Sequence, residues 1–199
     1  MNELILGTRG SELALTQTEM TMAALRAAWP DLAVRHVVIK TSGDLRPDLK
    51  LADFSRGDQP VVDKGIFTKE LELALRAGTI HAAVHSLKDV PTVLDEGFRI
   101  ASVLPRAPIE DVLLSKIPGG LDALPPGSVV ATSSVRRARQ LRWLRPDLEV
   151  ADIRGNVATR IRKVAEDPAV AALLLARAGL QRLGLFQDSP TEFGAPGYL

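Results

Sequence analysis

The 199-residue sequence contains no cysteine. Disulfide bonds, thiolate metal ligands and a cysteine nucleophile are therefore excluded within it. Aromatic residues are also scarce, with five Phe, two Trp and one Tyr, which argues against a stacking platform for single-stranded nucleic acid. The sequence has no GxxxxGK[ST] motif and no strand-coupled GxGxxG, so no motif favours nucleotide binding.

No apolar run approaches the ~18 residues that a membrane-spanning helix needs. The N-terminus, Met1 to Leu4, lacks the basic region and long apolar core of a signal peptide. These features predict a soluble cytoplasmic protein with neither a membrane nor a nucleic acid as partner. The formal net charge is only +1, but positive charge is concentrated locally: nine Arg and Lys stand against three acidic residues between Thr132 and Lys163.

Strand-like and helix-like segments alternate along the chain. Leu13 to Trp29 has helical spacing, whereas Ala33 to Ile39 is rich in β-branched residues. This alternation predicts an α/β fold with mainly parallel sheets. The proline-rich stretch Leu104 to Pro108 is the candidate boundary between a first domain, 1–104, and a second, 105–199.

A long polar segment, 41–64, has no hydrophobic periodicity. Loops of that length are usually functional or mobile. After it, Phe67, Leu71, Ala74 and Leu75 recur at helical spacing and predict one apolar face of a helix.

Three turns from a strand into a helix share one chemical design. Each combines arginine with small or hydroxyl residues and the free N–H groups of a starting helix. They are Thr8-Arg9-Gly10-Ser11, Thr132-Ser133-Ser134-Val135-Arg136-Arg137 and Arg154-Gly155-Asn156-Val157-Ala158-Thr159-Arg160, with Asn156 as a candidate N-cap.

Arginines at the start of a helix oppose the helix dipole, which carries roughly half a positive charge there. A bound anion is the expected compensation for Arg136 and Arg137. In open α/β sheets, ligands bind beyond the carboxyl ends of the strands, where all three turns are expected to lie. Any one turn is equally compatible with a surface arginine beside an ordinary cap. Together the three predict an anion-binding cleft.

A fourth turn carries a Lys88–Asp89 pair after a predicted strand, Ile80 to Val84. A carboxylate in a cationic cleft would stay ionised and could stabilise positive charge or move protons. The alternative is an ordinary turn aspartate beside a solvated lysine. Lys64 likewise has two alternative roles. It is an ordinary loop lysine, or it is a group that a closing loop brings over the cleft.

The two histidines in this region do not predict a metal site. His81 and His85 are four residues apart, but the intervening Ala82-Ala83-Val84 is more typical of a strand than of the helix that a zinc-binding pair at this spacing requires.

Six segments resemble motifs of the hydroxymethylbilane synthase (porphobilinogen deaminase) family, and they occur in the family's order along nearly the whole chain. They are Thr8 to Ala14, Asp63 to Glu72, Ala83 to Pro91, Thr132 to Arg137, Arg154 to Arg160 and Ala178 to Gly184.

The resemblance implies two α/β lobes like those of periplasmic binding proteins, joined by a hinge around a cleft. It also implies a transferase of tetrapyrrole biosynthesis, including porphyrin and heme, that deaminates four porphobilinogen molecules and joins them into linear hydroxymethylbilane. Porphobilinogen and the linear pyrrole chains would be its ligands. Since porphobilinogen carries an acetate and a propionate, such a cleft would contain many arginines.

The resemblance assigns roles to particular residues. Asp89 corresponds to the catalytic carboxylate, which assists the loss of ammonia and stabilises cationic pyrrole intermediates. Lys64 would lie on a mobile loop over the site. The residues implied to bind cofactor and growing chain are Arg9, Ser11, Ser86, Lys88, Thr132, Ser133, Ser134, Arg136, Arg137, Arg154, Gly155, Asn156 and Arg160.

Two departures from the family pattern concern the cofactor and the first lobe. Family members carry a third domain whose cysteine anchors a dipyrromethane primer. This sequence contains no cysteine, and the chain is expected to lack that domain. The first lobe is expected to lack a return strand, which leaves an unpaired sheet edge. The chain is then a truncated or split form, with another chain supplying the third domain, or it holds the primer without a covalent bond.

Two other functions remain open on the sequence. One is a non-catalytic fragment or partner subunit that binds a polycarboxylate or a linear bilane. The other is the effector domain of a transcription regulator with the same two-lobed fold, although no DNA-binding segment accompanies it.

Overall fold

The structure is a computed structural model that describes residues 3–42 and 67–186. The chain divides into two compact units, Met1–Pro105 and Arg106–Leu199. Each unit holds its own sheet with helices beside it, and most strand pairs are parallel. The predicted α/β class with mainly parallel sheets is confirmed. The assignment of the units as two independent lobes stays a prediction.

The first unit is built around one central strand. Its elements, over the described residues, are β1 (Glu3–Thr8), α1 (Glu12–Ala28), β2 (Ala33–Val38), α2 (Lys69–Arg76), β3 (Ala82–Ala83) and the 3₁₀ turn Leu87–Asp89. β2 and β3 both pair with β1 in parallel, in the order β2-β1-β3. The carboxyl ends of all three strands therefore lie at one edge of the sheet.

Few large side chains form the core of the first unit. Leu6 of β1, Met22 of α1 and Leu71 of α2 are each at most 4% exposed, together with Ile80 just before β3. Burial of such a side chain contributes about 1.5–3 kcal/mol. These contacts bring α1 and α2 against the sheet and so fix the turns at its carboxyl edge.

The second unit has a four-stranded sheet with one reversed strand. Its elements are β4 (Asp111–Ser115), the 3₁₀ turn Leu121–Ala123, β5 (Val129–Ala131), α3 (Val135–Leu144), β6 (Glu149–Ala151), α4 (Val157–Glu166), β7 (Val170–Ala176) and α5 (Arg177–Arg182). The order is β4-β7-β5-β6, in which β4 is antiparallel to β7 and the other pairs are parallel.

Apolar residues cover both faces of this sheet. Successive residues of a strand point to opposite faces, and residues of β7 alternate between two apolar clusters in this way. Leu173 and Leu175 belong to a cluster with Val164 of α4 and Leu180 of α5. Ala172 belongs to a separate cluster that includes residues of α3 and β5. A strand that is buried on both faces is typical of a sheet covered by helices on both sides.

Two predicted elements differ from the structure. The predicted strand Ile80 to Val84 is reduced to Ala82–Ala83 and is only partly buried. Its pairing with β1 continues as single backbone hydrogen bonds, from His81 N–H to the Ile5 carbonyl and from Val84 N–H to the Gly7 carbonyl, at 2.8 and 2.9 Å. Phe67 precedes α2 instead of forming part of its apolar face, and its ring makes a contact described below.

Leu173→Ala tests the core of the second unit. The Leu173 side chain is fully buried, so its truncation leaves a cavity and should lower the free energy of unfolding by about 2–5 kcal/mol. Leu144→Ala is the matched control, because Leu144 is 57% exposed at the end of α3 and its truncation should cost less than about 0.5 kcal/mol. Urea denaturation measures both, and equal losses would contradict this core assignment.

Candidate functional site

The predicted site residues of the first unit lie on two connections at the carboxyl edge of its sheet. Gly7 of β1 pairs with Ala83 of β3, so the two strands end side by side. The turn after β1 contains Arg9 and Ser11, and the segment after β3 contains Ser86, Lys88 and Asp89. The parallel register therefore brings the predicted binding turn and the predicted catalytic turn to one edge.

Arg9 is held by an aromatic ring. Its guanidinium carbon lies 4.0 Å from the centroid of the Phe67 ring, a cation–π contact that fixes the plane of the cation. Ser11 is the N-cap of α1, and its hydroxyl accepts a hydrogen bond from Ala14 N–H at 3.4 Å. The first predicted turn is thus a capped helix start beside an oriented arginine.

Asp89 closes a single 3₁₀ turn. Its backbone N–H donates to the Ser86 carbonyl at 2.9 Å, and Val90 N–H donates to the Leu87 carbonyl at 3.2 Å. The Asp89 side chain is partly buried, whereas Lys88 is exposed. The Ser86 hydroxyl donates to Gln17 Oε1 of α1 at 2.8 Å.

The imidazole of His85 interacts electrostatically with the charged groups around it. Burial lowers the pKa of its imidazole, because the interior disfavours the charged ring. The Asp89 and Glu72 carboxylates act in the opposite direction, whereas Arg9 adds to the lowering. The net lowering of the pKa makes His85 neutral at pH 7. Its interactions place it near both Arg9 and Asp89.

The predicted site residues of the second unit also share one edge of a sheet. β5 and β6 end in the turns that carry Thr132 to Arg137 and Arg154 to Arg160. Because β4 runs antiparallel to β7, its first residue, Asp111, pairs with the last residue of β7, Ala176. The start of β4 therefore lies at the same edge as the carboxyl ends of the parallel strands.

Asp111 binds both arginines at the start of α3. Its Oδ2 lies 2.9 Å from Arg136 Nη2, and its Oδ1 lies 2.8 Å from Arg137 Nη2. Burial acts to raise the pKa of Asp111, but hydrogen bonds and charge from Arg137 and Arg136 outweigh it and hold the pKa below its usual value. Arg136 also donates to Gln140 Oε1 at 2.6 Å.

This pairing adds a partner that the sequence did not predict. A bound anion is the compensation expected for the charge of Arg136 and Arg137, and a carboxylate of the chain itself supplies part of it; anion binding at this turn stays a prediction. The signal was present in the sequence as an acidic residue before an apolar strand. What was missing was the antiparallel direction of that strand, which brings Asp111 to the arginines.

The hydroxyl residues before α3 are engaged in local contacts. Ser134 is the N-cap and accepts a hydrogen bond from Arg137 N–H at 3.4 Å. Thr132, which is buried, accepts one from Ser134 N–H at 3.2 Å. Ser133 accepts one from Arg160 Nη1 at 3.3 Å, and this bond joins the second predicted turn to the third.

The third turn has the predicted N-cap. Asn156 Oδ1 accepts a hydrogen bond from Thr159 N–H at 2.8 Å, so this prediction is confirmed. Gly155 has a φ of +121°, and a Cβ there would lie 2.7 Å from Thr159 Cγ2. The position therefore requires glycine both for its backbone conformation and for space.

Three arginines form a cationic cluster in the second unit. Partial burial lowers the pKa of Arg160, and the charges of Arg137 and Arg154 lower it further. Arginine nevertheless keeps its charge at neutral pH. Arg154 Nε pairs with Asp152 Oδ2 at 3.0 Å, whereas Arg137 Nε is buried without a hydrogen-bond partner among the described residues. This cluster, Arg137, Arg154 and Arg160, is suited to hold a carboxylate or phosphate.

Each unit thus assembles its own share of the predicted residues. Lys64 lies outside the described residues, as does nearly all of the predicted loop 41–64. Sequence reasoning missed Asp111, Phe67, Gln17 and His85. His85 was weighed only as a metal ligand, and the described residues contain no group of three or more His, Asp or Glu that could hold a metal ion. Across residues 3–42 and 67–186, no helix combines the length and apolarity that a membrane span requires.

Comparison with known proteins identifies the family to which this chain belongs. Residues 4–196 match the family model described as "Porphobilinogen deaminase, dipyromethane cofactor binding domain". The chain belongs to the porphobilinogen deaminase family. The resemblance stated from six motifs is confirmed, whereas the roles that it assigned to single residues stay predictions.

Curated relatives agree with the family model. A protein named porphobilinogen deaminase from Syntrophus aciditrophicus (strain SB) is 47% identical over 188 residues, covering 94% of this chain and 58% of that protein. One from Rubrobacter xylanophilus (strain DSM 9941 / JCM 11954 / NBRC 16129 / PRD-1) is 50% identical over 92% of this chain and 56% of its own length. One from Xanthomonas oryzae pv. oryzae (strain KACC10331 / KXO85) is 46% identical over 100% of this chain and 63% of its own length. The chain therefore spans about three fifths of the length of these porphobilinogen deaminases.

The Asp111 ion pairs make a testable contribution to stability. Because the folded state lowers the pKa of Asp111, its contribution is present above the unfolded pKa and is lost as the pH falls through the folded pKa. Asp111→Asn should therefore lower the free energy of unfolding at pH 7. The expected loss is only about 1 kcal/mol, because solvent screens the exposed charges of the two ion pairs. The deficit should shrink below about pH 4.

Glu149→Gln is the matched control for Asp111→Asn. Glu149 is an exposed residue of β6 without an ion pair among the described residues, and its change should leave stability within about 0.5 kcal/mol of the original. Urea denaturation between pH 3 and pH 7 measures both variants. A deficit of Asp111→Asn that is independent of pH would contradict the ion-pair assignment.

Proposed function

We propose that this chain carries the cofactor- and substrate-binding part of a porphobilinogen deaminase and acts in tetrapyrrole biosynthesis. The reaction joins four porphobilinogen molecules head to tail into hydroxymethylbilane, with loss of ammonia from each. The observation that carries the proposal is the Arg137–Arg154–Arg160 cluster at the sheet edge of a chain that belongs to this family. The proposal includes the two-lobed arrangement with the two units as lobes, and a cytoplasmic location.

The ligand chemistry supports this proposal. Porphobilinogen carries an acetate and a propionate, and each added unit brings two more carboxylates. Guanidinium groups bind carboxylates with two parallel hydrogen bonds. Arg160 is the first candidate, because Asp111 already engages Arg136 and Arg137 and Asp152 pairs with Arg154. Arg9 would bind a carboxylate at the edge of the first unit.

A dipyrromethane cofactor fits the second unit on one structural criterion. Arg137 Nε is buried with its hydrogen-bonding capacity unmet by the described residues, and a carboxylate of the cofactor would satisfy it. Arg137, Arg154, Arg160 and Ser133 would hold the group. When bound, dipyrromethane supplies the pyrrole to which the first substrate is joined. No thioether to it can form within these 199 residues, because they contain no cysteine, so ion pairs would hold it here unless another chain or segment supplies the anchor.

Asp89 would act on the substrate. The protonated amino group of the aminomethyl substituent leaves as ammonia and takes the electrons of the C–N bond, so the methylene carbon stays on the pyrrole as a cationic methylene-pyrrole. A carboxylate beside that cation stabilises it and can exchange a proton with the leaving amine. Asp89 lies at the end of a 3₁₀ turn, and the neutral His85 adds no competing positive charge.

Asp89→Asn tests the catalytic role. The amide keeps the size of the side chain but removes its charge, so turnover of porphobilinogen should fall by about 10²–10⁴-fold. Asp95→Asn is the control, because this carboxylate is 73% exposed and its ion pair among the described residues is a surface contact with Arg76 at 3.8 Å. The measurement is consumption of porphobilinogen together with the appearance of uroporphyrin-forming product.

The outcomes of that assay separate the two candidate functions. Absence of turnover by the original chain, with or without a supplied linear pyrrole primer, would contradict the catalytic proposal. Tight binding of porphobilinogen without turnover would favour the alternative, a non-catalytic bilane-binding fragment or the partner subunit of a separate chain that carries the third domain.

Arg160→Gln tests the carboxylate-binding role without requiring turnover. Loss of a charged hydrogen bond to the ligand should weaken porphobilinogen binding by about 10–100-fold. Arg162→Gln on the same helix is the matched control, since Arg162 is exposed and has no ion pair among the described residues. Isothermal titration calorimetry compares them, and equal affinities would remove Arg160 from the site.

A further inference from the structure

One side-chain hydrogen bond ties the turn of Asp89 to the first helix. The Ser86 hydroxyl donates to Gln17 Oε1 at 2.8 Å, across 69 positions of sequence. Ser86 immediately precedes the 3₁₀ turn, but its hydroxyl makes no capping bond to that turn. Over the described part of the chain, no other side-chain hydrogen bond joins Ser86, Leu87, Lys88 or Asp89 to the rest of the first unit.

Gln17 is itself placed by a rigid part of α1. The next residue, Thr18, is fully buried and its hydroxyl donates to Thr8 Oγ1 at 2.7 Å. Thr8, also fully buried, is the last residue of β1. The second turn of α1 is therefore fixed to the end of the central strand, one residue before Arg9. Gln17 transmits that fixed position to Ser86.

The link from Ser86 to Asp89 is the backbone. Asp89 N–H donates to the Ser86 carbonyl at 2.9 Å, so a movement of Ser86 moves the turn that carries the carboxylate. A short 3₁₀ turn has poorer hydrogen-bond geometry than an α-helix and is not rigid by itself. An external tie is therefore needed to hold Asp89 in one position.

We propose that Gln17 is a positioning residue, which fixes Ser86 and through it the catalytic turn of Asp89. The inference rests on the proposed role of Asp89 and adds a residue to it. The Thr8–Thr18 contact and the Gln17–Ser86 bond together hold the anion-binding turn at Arg9 and the carboxylate of Asp89 on one frame. Substrate acid groups and the reacting aminomethyl group would thus be aligned by α1.

Gln17→Met tests this role because it keeps the length of the side chain and removes the acceptor. We expect kcat to fall about tenfold with KM within about twofold, since misplacement of a catalytic group affects the chemical step. Gln17→Glu keeps an acceptor oxygen and should recover most of kcat. Thr21→Val is the matched control. Among the described residues the Thr21 hydroxyl donates to the Gln17 backbone carbonyl of its own helix, at 2.9 Å, and to no other group, so kcat should be unchanged.

A double-mutant cycle decides whether Gln17 acts through Ser86. If it does, Gln17→Met should add little to the loss of kcat already caused by Ser86→Ala. Fully additive losses would overturn the proposal, and so would a Gln17→Met variant with unchanged kcat.

Amide hydrogen exchange supplies a readout that does not depend on activity. Exchange of the Asp89 N–H, measured by NMR, should be several-fold faster in Gln17→Met than in Thr21→Val. Unchanged exchange would overturn the positioning role even in an active protein. If the original chain fails to consume porphobilinogen, the proposed function fails, but the exchange result still decides whether Gln17 holds the turn.

Discussion

The balance of charge at the carboxyl edge of the second sheet is the constraint on which the site depends. Arg137 is only 12% exposed, and a cation withdrawn from water is costly unless a counter-charge lies close to it. Asp111 supplies that charge to Arg137 and shares it with Arg136. It can do so because β4 is reversed, which places the start of this strand beside the carboxyl ends of the others. The reversed strand therefore supplies the counter-charge for the two arginines as well as a strand of the sheet.

One carboxylate does not neutralise the edge. Arg154 is paired with Asp152, while Arg160 depends on hydrogen bonds to Ser133 and to the Asn156 carbonyl. The second unit thus keeps a surplus of positive charge. Burial lowers the pKa of Arg160, and repulsion by the charges of Arg137 and Arg154 lowers it further. A ligand with several carboxylates would relieve this repulsion. Asp111 holds part of the cluster in place when no such ligand is bound.

The first unit solves a different electrostatic problem. Its edge carries one stacked arginine, one neutral histidine and the Asp89 carboxylate. A carboxylate that stabilises a transient cation must lie close to the reacting group without being neutralised by a permanent ion pair. The described contacts of Asp89 leave its carboxylate without such a partner, because the hydrogen bond that fixes its position comes from its backbone N–H. The edge of the first unit therefore presents a carboxylate that is unpaired among the described residues, whereas that of the second presents a cluster of arginines.

Local sequence alone determined the features that depend on neighbouring residues. The cap at Asn156 and the alternation of strands and helices were predicted, because capping and hydrophobic periodicity act over a few residues. The family was also identified from the sequence, because six motifs occur along the chain in the order that is typical of the family. Tertiary structure decided the counter-ion at Asp111, the ring under Arg9 and the bond from Ser86 to Gln17. Each joins residues that are far apart in the chain, and strand order and direction, which no local pattern encodes, bring them together.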